Sequence, residues 1–137
     1  MLKKITISVV LTTLMASTAI AGGHCAADKT LTEGKLTIAT GNPAYFPWVI
    51  DDAPESGQGF EAAVAYAVAK EMGFSDSDVV WVRSSFDEAI QPGAKNFDFN
   101  MQQYSITPER DETVDFSAPY FTAPMAVLVG PGAVDTA

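Results

Sequence analysis

Within six residues, Ser105-Ile106-Thr107-Pro108-Glu109-Arg110 combines a hydroxyl, a helix-capping threonine, a proline and an arginine. Thr107 suits a cap and Pro108 the first helical position, so a helix is expected to begin here with main-chain donors facing outward. Such an end attracts anions. Arg110 falls in the first turn, where the helix dipole disfavours a cation, so the pattern predicts a negative partner beside it. A guanidinium fork grips a carboxylate through two parallel hydrogen bonds. The chemistry implied is recognition of a small carboxylate. The plain alternative is a solvated helix on which Arg110 pairs with Glu109, Asp111 or Glu112.

Catalysis has less support. His24 is the only histidine and Cys25 the only cysteine. They adjoin each other far from the motif, which leaves a Ser-His or Cys-His arrangement without a base. No spacing of His, Cys and carboxylates reads as a metal or cofactor site. An acid–base pair among the many carboxylates is the remaining enzymatic alternative.

The elements that must carry the motif alternate between strand and helix. Lys35 to Thr40 alternates apolar and polar residues and predicts a strand with Leu36 and Ile38 inward. Residues 41 to 58 are rich in Pro, Gly, Asp and Glu and predict a loop, with Tyr45, Phe46 and Trp48 close together in it. Phe60 to Met72 predicts an amphipathic helix with Phe60, Val64, Ala67 and Val68 on its apolar side and Gly73 as its stop. Val79 to Arg83 predicts a second strand, and Ser85 caps a short helix from Phe86 toward Gln91. Phe97, Phe99 and Met101 alternate with polar residues and predict a third strand leading to Gln102, Gln103 and the motif. Met125 to Val129 predicts a final strand. Strands joined through helices imply an α/β fold with a parallel sheet, whose ligand crevice lies at the carboxyl ends of its strands. The loop after the first strand, the Ser84-Ser85 turn and the segment from Gln102 onward all reach that edge.

The chain has 137 residues, 47% of them hydrophobic, and a net charge of −9. Lys3 and Lys4 precede an uncharged apolar run from Ile5 to Ala21, which reads as a secretory signal peptide over 1–21 rather than a membrane anchor. Without it, six basic residues remain against seventeen acidic ones, a net of −11. So acidic a chain is a poor match for nucleic acid or anionic lipid. A local arginine still outweighs a diffuse background for a small anion. Cys25, standing alone, forms no internal disulfide.

Four segments in this order and spacing carry a family resemblance: Gly-Asn-Pro-Ala-Tyr-Phe-Pro-Trp at 41–48, Gly-Phe-Glu before the helix at 59–73, Phe-Asp-Phe-Asn-Met-Gln-Gln-Tyr-Ser-Ile-Thr-Pro-Glu-Arg at 97–110, and Val-Asp-Phe-Ser-Ala-Pro-Tyr at 114–120. From about Lys35 to Val129 the chain resembles the first half of a periplasmic solute-binding protein of a polar amino acid ABC transporter, the family 3 type. The resemblance implies a type II periplasmic binding protein lobe, incomplete, with 22–34 as a flexible mature N-terminus, 35–130 as the partial first ligand-binding lobe and 131–137 as the start of the connection to a second. It also implies site roles. Tyr45 and Phe86 are aromatic walls, the Gln103 carbonyl and Ser105 hydroxyl receive an α-ammonium group, and Arg110 clamps the α-carboxylate. Two departures stand out. Small residues are usual where Gln102 and Gln103 stand, which implies a narrower pocket or a preference for a different side chain, and Glu61 replaces a more usual aspartate.

The implied partners are an amino acid ligand and the membrane permease subunits of the transporter, with the protein itself a monomer, periplasmic or secreted. Complete members close two lobes on the ligand, and an acidic residue of the second lobe, without counterpart in this chain, meets the ammonium group. Two further readings are carried along: a cyclohexadienyl (prephenate- or arogenate-like) dehydratase homologue, and an amino acid sensor ectodomain anchored by residues 5–21.

Overall fold

The computed structural model describes residues 29–130. Its elements run β1 (Leu36–Thr40), α1 (Phe60–Glu71), β2 (Val79–Arg83), α2 (Phe86–Ile90), β3 (Phe99–Asn100) and α3 (Pro108–Asp111), with 3-10 turns at Ile50–Asp52, Pro54–Ser56 and Asp76–Asp78. β1 is central in the order β2-β1-β3, and both neighbours run parallel to it. Ile38 stands opposite Trp81 on one side and Phe99 on the other. The α/β class and the parallel pairing thus follow the sequence. Parallel pairing brings the ends of all three strands to one edge.

The core joins Leu36 and Ile38 of β1 to Ala65, Ala69, Phe74 and Met101, with Val64, Met72, Val79, Trp81 and Phe99 packed against it. Alternation predicted one polar face for β1, yet all five residues are buried, Thr37 and Thr40 included. A strand between two parallel neighbours is covered on both faces. The face of α1 also differs from the expected one. Glu61, Ala62, Ala65 and Ala69 are buried, whereas Phe60 and Val68 are exposed. The alanines at 65 and 69 share the core with Leu36 and Ile38, so the small side chains and not the largest apolar ones mark the packed face.

Gly73 stops α1 as expected. Its N–H donates to the Lys70 carbonyl at 3.0 Å and the Phe74 N–H to the Ala69 carbonyl at 2.9 Å, the paired bonds of a Schellman cap. No side chain caps the other end. There the Phe60 N–H donates to Pro47 at 3.1 Å, and those of Glu61 and Ala62 to Trp48 at 3.0 and 3.4 Å. The loop after β1 is thereby fastened to the start of α1.

Two strand expectations are corrected. β3 pairs only through Phe99 and Asn100, because the Asp98 carboxylate accepts the N–H groups of Thr37 at 2.6 Å and Leu31 at 2.7 Å. That takes the Thr37 donor from a longer ladder and ties the incoming chain to the sheet. Met125 to Val129 forms no strand, and Met125 and Leu128 are 100% and 97% exposed. The segment joins neither edge of the sheet, which ends at β2 on one side and at β3 on the other. The expected signal peptide over 1–21 and connection over 131–137 lie outside the described residues. No described helix is long and apolar enough to cross a membrane.

Candidate functional site

Arg110 is held in place without a carboxylate. Its Nη1 donates to the Ser105 carbonyl at 2.9 Å, and the guanidinium carbon lies 5.3 Å from the Phe86 ring centroid and 5.7 Å from that of Tyr104. Contacts over ring faces contribute about 0.5–1 kcal/mol each at partly exposed positions. The salt bridges among the described residues are Lys35 with Asp78 and Arg83 with Asp52, so the expected alternative of Arg110 pairing with its acidic neighbours is not formed. The remaining guanidinium N–H groups of Arg110 bond to no group among the described residues.

The local chain explains this placement. Ser85 caps α2, its hydroxyl accepting the Glu88 N–H at 3.2 Å, and so fixes Phe86 as the first helical residue. α2 closes at Ile90, one residue short of the expected Gln91. The Phe86 and Tyr104 rings lie 4.1 Å apart, tilted by 32°, and the Tyr104 hydroxyl donates to the Phe86 carbonyl. Burial pushes the Tyr104 phenol up to about 12, against the opposing charge of Arg110. Tyr104 was not among the expected site residues. Nothing local in the sequence reveals a ring stack that spans eighteen residues of chain.

The helix end beside Arg110 departs from expectation. Thr107 does cap α3, its hydroxyl accepting the Arg110 N–H at 3.4 Å, and Pro108 occupies the first turn. But α3 has only four residues, too few for a substantial dipole. The Glu109 carboxylate also takes its own main-chain N–H and the Thr107 hydroxyl, which with the nearby Arg110 charge hold it below the usual carboxylate range. The outward donors expected here are therefore already engaged, and the positive character of the site rests on the Arg110 guanidinium.

Gln103 and Ser105 follow β3 at the same edge. Gln103 has φ 54°, in the left-handed region that costs a residue with a Cβ about 1–2 kcal/mol. Its N–H donates to Glu61 Oε1 at 2.9 Å and its side-chain amide to Glu61 Oε2. Tyr120 donates its hydroxyl to the same carboxylate. Burial first, then Glu61, raises the Tyr120 phenol above its ordinary value. Glu61 is 1% exposed and was noted in the sequence only as a departure from the usual aspartate. Helical spacing was the available signal, since Glu61 shares the stripe of Ala65 and Ala69. With its amide directed to Glu61, Gln103 is anchored to α1 instead of narrowing a pocket. Gln102 is also occupied, donating to the Ser84 carbonyl at 3.3 Å.

Tyr45 is 64% exposed on the loop after β1 and makes no ring contact with Phe86 or Arg110. Its carbonyl accepts the N–H groups of Trp48 at 3.0 Å and Val49 at 2.9 Å. A clamp at the end of β2 holds this loop: Arg83 Nη1 donates to Asp52 Oδ1 at 2.6 Å and to the Gly41 carbonyl at 2.9 Å. The Ala44 N–H also donates to Asp52 at 2.8 Å, and this bond, then Arg83, lowers the Asp52 pKa. Trp48 of this loop, Phe60 of α1 and Phe121 of the return segment form an edge-to-face cluster, with centroids 5.1 to 5.8 Å apart. The fold therefore brings Phe86, Ser105 and Arg110 into one cluster, sets Gln103 beside it on Glu61, and places Tyr45 on a separate, clamped loop. No group of His, Cys, Asp and Glu among the described residues is arranged to hold a metal.

Comparison with known proteins bears on the family of the chain. The chain is 35% identical over 88 residues to a probable amino-acid ABC transporter periplasmic-binding protein, y4tE, of Sinorhizobium fredii. That match covers 63% of this chain and 28% of the relative. No solved structure matches. The sequence profile of the bacterial extracellular solute-binding proteins, family 3, matches residues 36–134, and the parallel sheet is that of a partial type II periplasmic binding protein lobe. The chain belongs to family 3 of the bacterial extracellular solute-binding proteins.

Proposed function

We propose that this chain forms the first jaw of a periplasmic or secreted, non-catalytic receptor for a polar amino acid, delivering it to the membrane permease subunits of an ABC importer. The observation that carries the reading is Arg110. Its guanidinium is fixed by the Ser105 carbonyl and two aromatic rings, yet it forms no salt bridge with a carboxylate among the described residues. A ligand α-carboxylate fits that charge, with the free N–H groups supplying a bidentate grip. The Gln103 carbonyl, which accepts no hydrogen bond from the described residues, and the Ser105 hydroxyl then receive the α-ammonium group. Phe86 flanks the side chain, and Tyr45 stays exposed on the separate loop after β1. The y4tE relative, named as an amino-acid transporter binding protein, supports the ligand class.

Titration calorimetry of the protein with L-glutamine, L-arginine and L-aspartate, each beside its α-carboxamide, tests the reading. At least one acid binds with a Kd of about 1 μM or tighter, and its amide binds at least about tenfold more weakly, a difference of about 1.4 kcal/mol. Equal affinities for acid and amide refute the carboxylate assignment.

A further inference from the structure

Glu61 is the second residue of α1 and one of the largest fully buried side chains, on a stripe otherwise made of alanine. A buried carboxylate is costly unless its oxygens are bonded. Here the donors are neutral: the N–H and side-chain amide of Gln103, and the hydroxyl of Tyr120. Gln103 holds the carboxylate as a claw, with main chain on one oxygen and side chain on the other. It is also the one residue between β3 and α3 with a positive φ, at 54°. Glycine adopts that conformation freely, whereas glutamine needs it enforced. Both of its grips end on Glu61, so the buried carboxylate sets the backbone direction of the chain that enters Ser105 two residues later.

We propose that Glu61 is a positioning residue for the ligand site and that it forms a matched pair with Gln103. The carboxylate holds a residue with a full side chain in a left-handed turn and so aims the Gln103 carbonyl and Ser105 at the ligand. Tyr120, on the same carboxylate, ties the return segment to this junction. The positioning role rests on the ligand site proposed above; the pairing does not.

A double-mutant cycle separates the two. Urea unfolding is followed for the wild-type protein, Glu61→Ala, Gln103→Gly and the double variant. In the wild-type background Gln103→Gly leaves the urea midpoint unchanged or lowers it. In the Glu61→Ala background it raises the midpoint, because glycine removes a strain that nothing then enforces. The same sign and size of effect in both backgrounds overturns the pair. Glu61→Gln keeps the packing but sets an amide donor against the donors of Gln103. Calorimetry of that variant with L-glutamine, L-arginine and L-aspartate gives at least a tenfold loss for whichever acid the wild type binds, and Gln103→Gly added to it recovers part of the loss. Wild-type affinity in Glu61→Gln overturns the positioning role and leaves Glu61 a core residue. If none of the three acids binds the wild-type protein, the receptor reading and the positioning role fall together, and the urea cycle alone decides the pair.

Discussion

Gly59 joins the loop after β1 to α1, and replacing it with alanine tests how that junction is built. A Cβ at this position would lie 2.5 Å from the Trp48 carbonyl oxygen, 2.7 Å from Val49 Cα and 2.8 Å from the Trp48 carbonyl carbon. All three atoms are main chain and cannot rotate away. The residue also has φ 104°, which a side chain rarely adopts. The dihedral costs about 1–3 kcal/mol and the forced displacement a further 1–3, so Gly59→Ala should lose about 2–6 kcal/mol. Gly93 is the internal control. It too has a positive φ, at 117°, but a Cβ there meets nothing within 4 Å, so Gly93→Ala carries the dihedral cost alone. Thermal unfolding followed by tryptophan fluorescence reads the difference, because Trp48 sits at the junction. Each kcal/mol moves the Tm of a domain of this size by about 4 °C or more, so Gly59→Ala should melt at least about 4 °C below Gly93→Ala. Equal melting temperatures would refute the close approach of loop and helix.

Other perturbations follow from the same geometry. Asp78 is bonded by Lys35 and by Ser75, which lower its pKa from 3.8 to about 2. Its ionised form is favoured by folding, so its contribution is complete above pH 3.8 and fades as pH falls through about 2; Asp78→Asn should flatten the acid limb of the stability profile in that window. Ser85→Ala removes the cap of α2 and should cost about 0.5–2 kcal/mol in urea unfolding while also weakening amino acid binding, since Phe86 opens that helix. Arg83→Met breaks the clamp on the Tyr45 loop, and hydrogen exchange of the Ala44 and Val49 amides should accelerate; unchanged exchange would show that the loop is held from α1 alone.

What the sequence revealed was mostly what local bonds decide. The caps at Ser85 and Thr107 and the stop at Gly73 close within a few residues, so residue type and spacing sufficed. The parallel sheet and its common edge are long-range, yet the α/β alternation gave them because a strand joined to the next through a helix returns in the same direction. Other long-range contacts were hidden. Which face α1 buries depends on what packs against it from distant parts of the chain, and of the larger apolar residues Val64 packs on the core whereas Phe60 and Val68 are exposed. Met125 to Val129 has strand-like composition but joins neither edge of the sheet, and strand pairing across such a distance in the chain is not set by local composition. Glu61 finds Gln103 and Tyr120 at separations of 42 and 59 residues, beyond any local pattern. At the start of α3 the arginine forms no salt bridge among the described residues, while the amide donors are taken by Thr107 and Glu109.

The central claim is that Arg110 receives the α-carboxylate of an amino acid. Calorimetry of Arg110→Ala beside the wild-type protein, with L-glutamine, L-arginine and L-aspartate as probes, tests it most directly. Removing one partner of a bonded charge pair costs about 2–5 kcal/mol, so affinity for the acid that binds should fall at least about thirtyfold. Its α-carboxamide should bind wild type and variant alike. Undiminished affinity of Arg110→Ala for the acid would contradict the account.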